Sequence, residues 1–330
     1  MNQSREYASK VQISVVIPCY RSESALEPLV KDLLATLSEL ELSREIDGSE
    51  VLLVVDGSPD RTAAVARDLE AAHDRVRALI LRRNFGQHNA LIAGIRSSRY
   101  DVIVTMDDDF QHPPSEISKL VAALRDSDVD LIYAVPEREE HGAFRSASSR
   151  LVKRGLALAG VNNAEIVGAF RAFRTDLREG FKDSDDPQVN LDVFLSWTTN
   201  RVIAVNVRMD KRAVGTSSYN LRRLVRHTLN MVTGYGTVPL RIATWLGLAC
   251  GVFGFALLAW VLVRFALGET TVPGFTTLAA LVSLFSGAQM VSIGIIGEYL
   301  GRQHFRSMRR PMYVIRTPLA DSADQGGGAP

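Results

Sequence analysis

The chain has 330 residues, room for about two domains. Its 38 Lys and Arg against 37 Asp and Glu leave a net charge of +1, so no global field draws it onto nucleic acid. A mean hydropathy of +0.04 is high for a chain that is 23% charged, which requires its apolar residues to be concentrated. They are: residues 242–263 and 275–297 contain no Asp, Glu, Lys or Arg. Helices of that length run to ~33 Å against a hydrocarbon core of about 30 Å, so two membrane spans fit and a wholly soluble protein does not. A buried helical pair inside a soluble protein is the competing account. With only Cys19 and Cys250, neither a disulfide framework nor a thiolate zinc site is available.

Residues 1–10 are a polar extension leading into a strand-like run rather than a signal-peptide core, which predicts that the first 240 residues stay in the cytosol. Residues 11–18 (VQISVVIP) are β-branched and end in Pro, a strand signature. Over residues 24–40, Leu26, Leu29, Val30, Leu33, Leu34, Leu37 and Leu40 recur at helical spacing, with Ser24 and Glu27 placed as a capping box. Strands at 51–55, 76–81, 101–106 and 130–135 then alternate with helices at 62–72, 87–97 and 114–124. This alternation predicts a doubly wound, mostly parallel α/β sheet, whose ligands bind beyond the carboxyl ends of the strands. Further on, 145–159 reads as helix and 166–173 and 202–207 as strands. Residues 219–231 form a basic amphipathic stretch with Arg222, Arg223 and Arg226, either interfacial or simply solvent-exposed.

The 20 residues before the first span carry Arg222, Arg223, Arg226 and Arg241, and the 20 after the second carry Arg302, Arg306, Arg309, Arg310 and Arg316. The connecting loop holds one Arg and one Glu. That asymmetry predicts a hairpin with both ends cytoplasmic. Trp245 and Trp260 fit interfacial anchors, Gln289 fits helix–helix hydrogen bonding, and the Gly-rich tail 320–330 reads as disordered.

Asp107, Asp108 and Asp109 follow the fourth strand directly, in MDDDFQHPP. Three adjacent carboxylates repel one another unless a cation lies among them, and oxygen ligands suit Mg²⁺ or Mn²⁺. Alternation along an extended backbone would bring Asp107, Asp109 and Gln111 to one face. The alternative is a solvated acidic turn capping the helix near Pro114. Asp56, ending the second strand in VVDGSPDRT, has the chemistry to accept from a nucleobase or a ribose, or sits in a β-turn ahead of an Asp60 helix cap. No Gly-rich phosphate loop follows any strand, so a bound diphosphate would need a metal and arginines. His88 and His112 read as polar lining.

The ordered set VVIPCY (15–20), VVDGSPDRT (54–62), RRNFGQHNALIAGI (82–95), DDDFQHPP (107–114), GTSSY (215–219) and GEYLGR (297–302) before Arg310-Pro311 resembles the polyprenyl-phosphate glycosyltransferases. These are inverting family 2 glycosyltransferases with a GT-A fold. They include dolichol-phosphate mannose synthase and the undecaprenyl-phosphate sugar transferases, and the latter, with two C-terminal spans, are the nearest subgroup. The resemblance runs from about residue 11 to 316. It implies a GT-A domain over 11–218, a juxtamembrane segment over 219–241, two membrane helices over 242–297 and a cytoplasmic tail over 298–330.

It also implies a nucleotide-sugar donor, a polyprenyl phosphate acceptor, Mg²⁺ or Mn²⁺, and an inner-membrane location; a homo-oligomer is compatible with it. Carried over by residue, Asp107 and Asp109 form the Asp-x-Asp pair, with Asp109 and Gln111 the metal ligands. Pro18, Tyr20, Asp56, Asp107 and Asp108 fall on the donor side. Arg145 and Ser149 match phosphate contacts, and Arg212 matches the segment that closes over the diphosphate. Asp192, in Asn190-Leu191-Asp192, is either a site residue or a helix cap. Departures are Arg21-Ser22 where relatives have Asn-Glu, Val55 for an Asp, Ser218 for a Lys, and Ala169 where some relatives carry a proposed base. The competing functions are a polysaccharide synthase, which normally carries a Gln-x-x-Arg-Trp segment that this chain lacks, and a non-catalytic membrane partner.

Overall fold

The computed structural model describes residues 11–137, 157, 164–184, 189–210, 238–267, 274–308 and 310–316. They form two compact units, one built on a sheet and one on two long helices. The sheet unit runs β1 (Val11–Cys19), α1 (Leu26–Leu42), β2 (Ile46–Val55), α2 (Thr62–Ala72), β3 (Val76–Ile80), α3 (Gln87–Ser97), β4 (Val102–Thr105), α4 (Ile117–Asp126), β5 (Leu131–Pro136), β6 (Arg171–Arg174), α5 (Leu191–Thr198) and β7 (Val202–Val207). Short 3₁₀ turns cover Pro114–Glu116 and Thr175–Phe181.

The seven strands lie in the order β3-β2-β1-β4-β6-β5-β7. Strands β1 to β4 pair in parallel, and β5 pairs in parallel with β7. Between these blocks β6 runs antiparallel to both β4 and β5, so the sheet is mixed where the alternation alone suggested a parallel one. Strands β1, β2 and β4 are almost wholly buried, as β-branched runs covered on both faces must be. Helix α1 lays all seven of its predicted apolar residues against the core. Each such side chain contributes about 1.5–3 kcal/mol on burial. Its expected capping box is absent: the helix starts at Leu26 behind Ala25, which makes no side-chain cap, and the Ser22 carbonyl accepts from the N–H groups of Ala25 and Leu26 instead. Helix α3 approaches the sheet most closely at Gly94, where a Cβ would lie 2.3 Å from the Val16 side chain.

Residues 310–316 also belong to the sheet unit. Leu81 and Ile315 form an antiparallel bridge, Arg82 N–H donates to the Val314 carbonyl at 2.9 Å, and Arg316 N–H donates to the Ile80 carbonyl at 2.7 Å. Met312 is buried, and the Arg96 guanidinium lies 5.9 Å from the Tyr313 ring centroid. The segment following the helices therefore covers the chain at the end of β3, so the described part of the tail expected at 298–330 is divided between a helix and this bridged segment.

The second unit contains α6 (Val238–Ala266) and α7 (Phe275–Ser307), which pack on each other through Phe253 and Phe285. Helix α6 is long and apolar enough to cross a membrane over Val238–Trp260, and almost none of that stretch is buried. Trp245, Phe255 and Trp260 are exposed along it, which weighs against the soluble-core account of this helix. The basic stretch with Arg222, Arg223 and Arg226, the predicted helix at 145–159 apart from Ala157, and the tail 320–330 lie outside the described residues.

Candidate active site

The carboxyl ends of β1, β2 and β4 sit side by side, because the parallel register places Cys19 against Val55 and Val16 against Thr105. The loops that follow therefore meet above one edge of the sheet. Pro18 is buried at the end of β1, while Tyr20 is 44% exposed at the rim. Asp56, next to Cys19 through a 3.0 Å backbone hydrogen bond, is buried and accepts the N–H groups of Phe85 at 2.7 Å and Gly86 at 2.8 Å. Burial pushes its carboxyl above the usual range, although both N–H bonds and Arg83 pull it down. Each carboxylate oxygen has a second lone pair, so Asp56 still has the capacity to accept from a ligand. Asp60 does serve the start of α2, accepting from Thr62 N–H at 3.1 Å and from the Thr62 and Ser58 hydroxyls at 2.6 Å.

Strand β4 stops at Thr105, and Phe110 has a φ of 60°, so residues 107–112 are a turn and not an extension of the strand. Alternation does not organise these side chains; local hydrogen bonds do. Asp107 accepts from Gln87 Nε2 at 2.8 Å, at the start of α3. Asp109 is buried and accepts from Gln111 N–H at 3.1 Å. Asp108 turns back to β1, where it accepts from the Ser22 hydroxyl. Burial raises the Asp108 carboxyl above its ordinary value, against the lowering effect of Ser22 and of the Tyr20 N–H.

Among the described residues no three His, Cys, Asp or Glu side chains are placed to hold a metal unaided. Two carboxylates and an amide oxygen nevertheless match what Mg²⁺ or Mn²⁺ takes from a protein when substrate phosphate and water complete its shell. The donor set of Asp107, Asp109 and Gln111 fits a divalent cation.

On the other side of the turn His112 is buried, its ring centroid 5.1 Å from that of Phe170 and its Nδ1 without a hydrogen-bond partner among the described residues. Burial holds its imidazole below the usual value; Asp109 opposes that shift and Arg171 adds to it. Asp192 is not the cap of α5. Asn190 caps it, accepting from the N–H groups of Asp192 at 2.9 Å and Val193 at 3.2 Å. Asp192 is instead buried in an ion pair with Arg171 and accepts from the Tyr133 hydroxyl at 2.9 Å. Burial pushes the Tyr133 phenol far up, and the neighbouring Asp192 adds to it. His88 Nδ1 accepts from Leu191 N–H at 3.2 Å, so this histidine positions α5. Locked in this way, Asp192 is poorly placed to remove a proton.

The structure thus gathers Pro18, Tyr20, Asp56, Asp107, Asp108, Asp109 and Gln111 at one end of the sheet. Arg145, Ser149 and Arg212 lie outside the described residues. Sequence reasoning missed Ser22, Gln87, Arg171 and Tyr133. No spacing announces them, since the partners of Ser22 and Tyr133 are 86 and 59 residues away, and those of Gln87 and Arg171 are 20 and 21 residues away on other elements.

A strand-end cluster of carboxylates with an amide beside it, on a largely parallel sheet, has the chemistry to take a metal-bound nucleotide. Residues 14–181 match glycosyl transferase family 2, and residues 238–303 match the GtrB C-terminal hairpin. Undecaprenyl-phosphate 4-deoxy-4-formamido-L-arabinose transferase of Edwardsiella ictaluri is 32% identical over 309 residues, 92% of this chain and 93% of that protein. The enzyme of the same name from Pseudomonas aeruginosa is 34% identical over 310 residues, 92% and 89% of the two chains. Among solved structures, glucosyl-3-phosphoglycerate synthase from Mycobacterium tuberculosis is 17% identical, covering 69% of this chain and 78% of its own, with a TM-score of 0.47. The chain belongs to glycosyl transferase family 2 and is a glycosyltransferase.

Proposed function

We propose that this enzyme transfers one sugar from a nucleotide-sugar to a polyprenyl phosphate of the undecaprenyl type, at the cytoplasmic face of the cell membrane. The observation that carries this reading is that the likeness to undecaprenyl-phosphate sugar transferases runs through the sheet unit and the helical hairpin together, over 92% of the chain. Residues 11–137, 165–184, 189–210 and 310–316 share one folded unit, so they lie on one side of any membrane. A chain that leaves through α6 must then return, which supports α7 as a second crossing and a hairpin with both flanks on the same side. The arginine-rich flanks favour the cytoplasm as that side.

In this reading Pro18, Tyr20 and Asp56 hold the donor base, with Asp56 accepting from a base N–H. Asp107, steadied by Gln87, faces the donor's ribose and diphosphate. Bound at Asp109 and Gln111, Mg²⁺ or Mn²⁺ supplies positive charge to the departing diphosphate. Arg145, Ser149 and Arg212 complete the phosphate contacts. The acceptor is a phosphate, already anionic at neutral pH, so its oxygen attacks the anomeric carbon without a protein base. Ala169, standing where some relatives carry a proposed base, and the ion-paired Asp192 are compatible with that chemistry. Attack opposite the leaving diphosphate inverts the anomeric centre and turns an α-linked donor into a β-linked lipid phosphate.

Membranes bearing the protein, incubated with a panel of UDP- and GDP-sugars and undecaprenyl phosphate, should yield a glycosyl lipid phosphate by mass spectrometry. Free sugar with no lipid product, or transfer of many sugars in succession, would refute the proposal.

A further inference from the structure

The central carboxylate of the acidic triplet does something that the donor and metal roles of its neighbours do not explain. Asp108 accepts from the Ser22 hydroxyl, and Ser22 is a junction. Its N–H donates to Thr62 Oγ1 at 2.9 Å, its carbonyl accepts from Ala25 and Leu26, and its hydroxyl oxygen accepts from Tyr20 N–H at 3.2 Å. The preceding Arg21 has a φ of 59° and donates its N–H to Ser58 Oγ at 2.8 Å, so this turn is tied to the loop after β2. Ser22 is 5% exposed. One hydroxyl therefore joins the turn carrying Tyr20 to the turn carrying Asp107 and Asp109.

We propose that Asp108 is a positioning residue. Through Ser22 it fixes the separation between the base-binding wall at Pro18, Tyr20 and Asp56 and the diphosphate end at Asp107, Asp109 and Gln111. The inference rests on the donor reading above. A nucleoside diphosphate spans both ends and needs them at a fixed spacing, whereas a nucleoside touches only the first. Loss of the Ser22–Asp108 bond should thus weaken the long ligand selectively.

The test uses full-length protein in detergent, titrated with UDP and GDP in the presence of Mn²⁺ and with uridine and guanosine. In Ser22→Ala and Asp108→Ala, affinity for the diphosphate that binds the wild type should fall about tenfold, with the matching nucleoside changed less than about twofold. The donor KM should rise with kcat held within about threefold. The loss in the double variant should fall well short of the sum of the two single losses, because both changes remove the Ser22–Asp108 bond. Asp108→Asn, whose amide oxygen still accepts from Ser22, should recover most of the affinity, and the thermal midpoints of the variants should confirm that they fold. Equal loss for nucleoside and diphosphate, independent losses in the double variant, or wild-type affinity in both alanine variants would overturn the inference alone. Failure of the wild type to bind either diphosphate would overturn the donor reading and this inference with it.

Discussion

Asp56 and Phe85 meet at 2.7 Å, carboxylate to backbone N–H, and that bond holds the loop after β3 beneath the end of β2. The loop passes so close that a Cβ on residue 57 would lie 2.1 Å from the Arg83 carbonyl carbon, and Gly57 itself has a φ of 57°. Gly57→Ala should therefore destabilise the sheet unit by about 1–3 kcal/mol and raise the donor KM. Asp56→Asn keeps the shape but turns one acceptor into a donor against the Phe85 or Gly86 N–H. It should raise the donor KM about tenfold while leaving the acceptor KM near normal, as steady-state kinetics would show.

The buried ion pair makes a stability prediction. Asp192→Asn strands the Arg171 guanidinium in the interior and should cost about 3–5 kcal/mol in denaturant unfolding. Tyr133→Phe removes one hydrogen bond and should cost about 1 kcal/mol. If Asp192→Asn lowered turnover sharply with no loss of stability, a direct role in the reaction would replace the structural one.

Turnover should need a divalent cation. EDTA should abolish it, Mg²⁺ or Mn²⁺ should restore it, and Asp109→Ala should lose it while the protein keeps its fold. Gln111→Ala should retain partial activity at a higher cation requirement. Undiminished turnover in excess EDTA would remove the metal from the mechanism.

Asp130 sets part of the acid limit of the fold. Burial would raise its carboxyl, but the Thr199 hydroxyl at 2.6 Å and the Arg201 guanidinium at 2.9 Å outweigh that, and the net shift is downward from 3.8. A depressed carboxylate contributes stability that is present above 3.8 and is lost as pH falls through its lower, folded value. Asp130→Asn should lower stability at neutral pH and flatten its decline below 3.8, measured by unfolding across that range.

Much of this architecture was legible in residue patterns. The leucines of α1, the β-branched runs and α3 over Gln87–Ser97 fall where periodicity puts them, because burial on one face leaves a direct trace in sequence. The antiparallel β6 left none: a strand's direction depends on the path of its connection, not on its own residues. The acidic triplet announced a site but not its internal division. Which of Asp107, Asp108 and Asp109 faces a ligand is decided by a turn with positive φ at Phe110 and by Ser22, 86 residues away. Asp192 resembled a cap because it follows Asn190, and only the fold brings Arg171 and Tyr133 to it.

The backbone bridge at Ile315 bears on the order in which the protein can be made. It joins residues 80–82, at the end of β3, to residues 314–316, so that edge stays open while the ribosome finishes the intervening chain and both long helices emerge. Until then Leu81 and its neighbours offer unpaired backbone groups to other nascent chains. Closure of this edge is in this sense a late event, available only once both long helices have been made and residues 314–316 can reach Leu81.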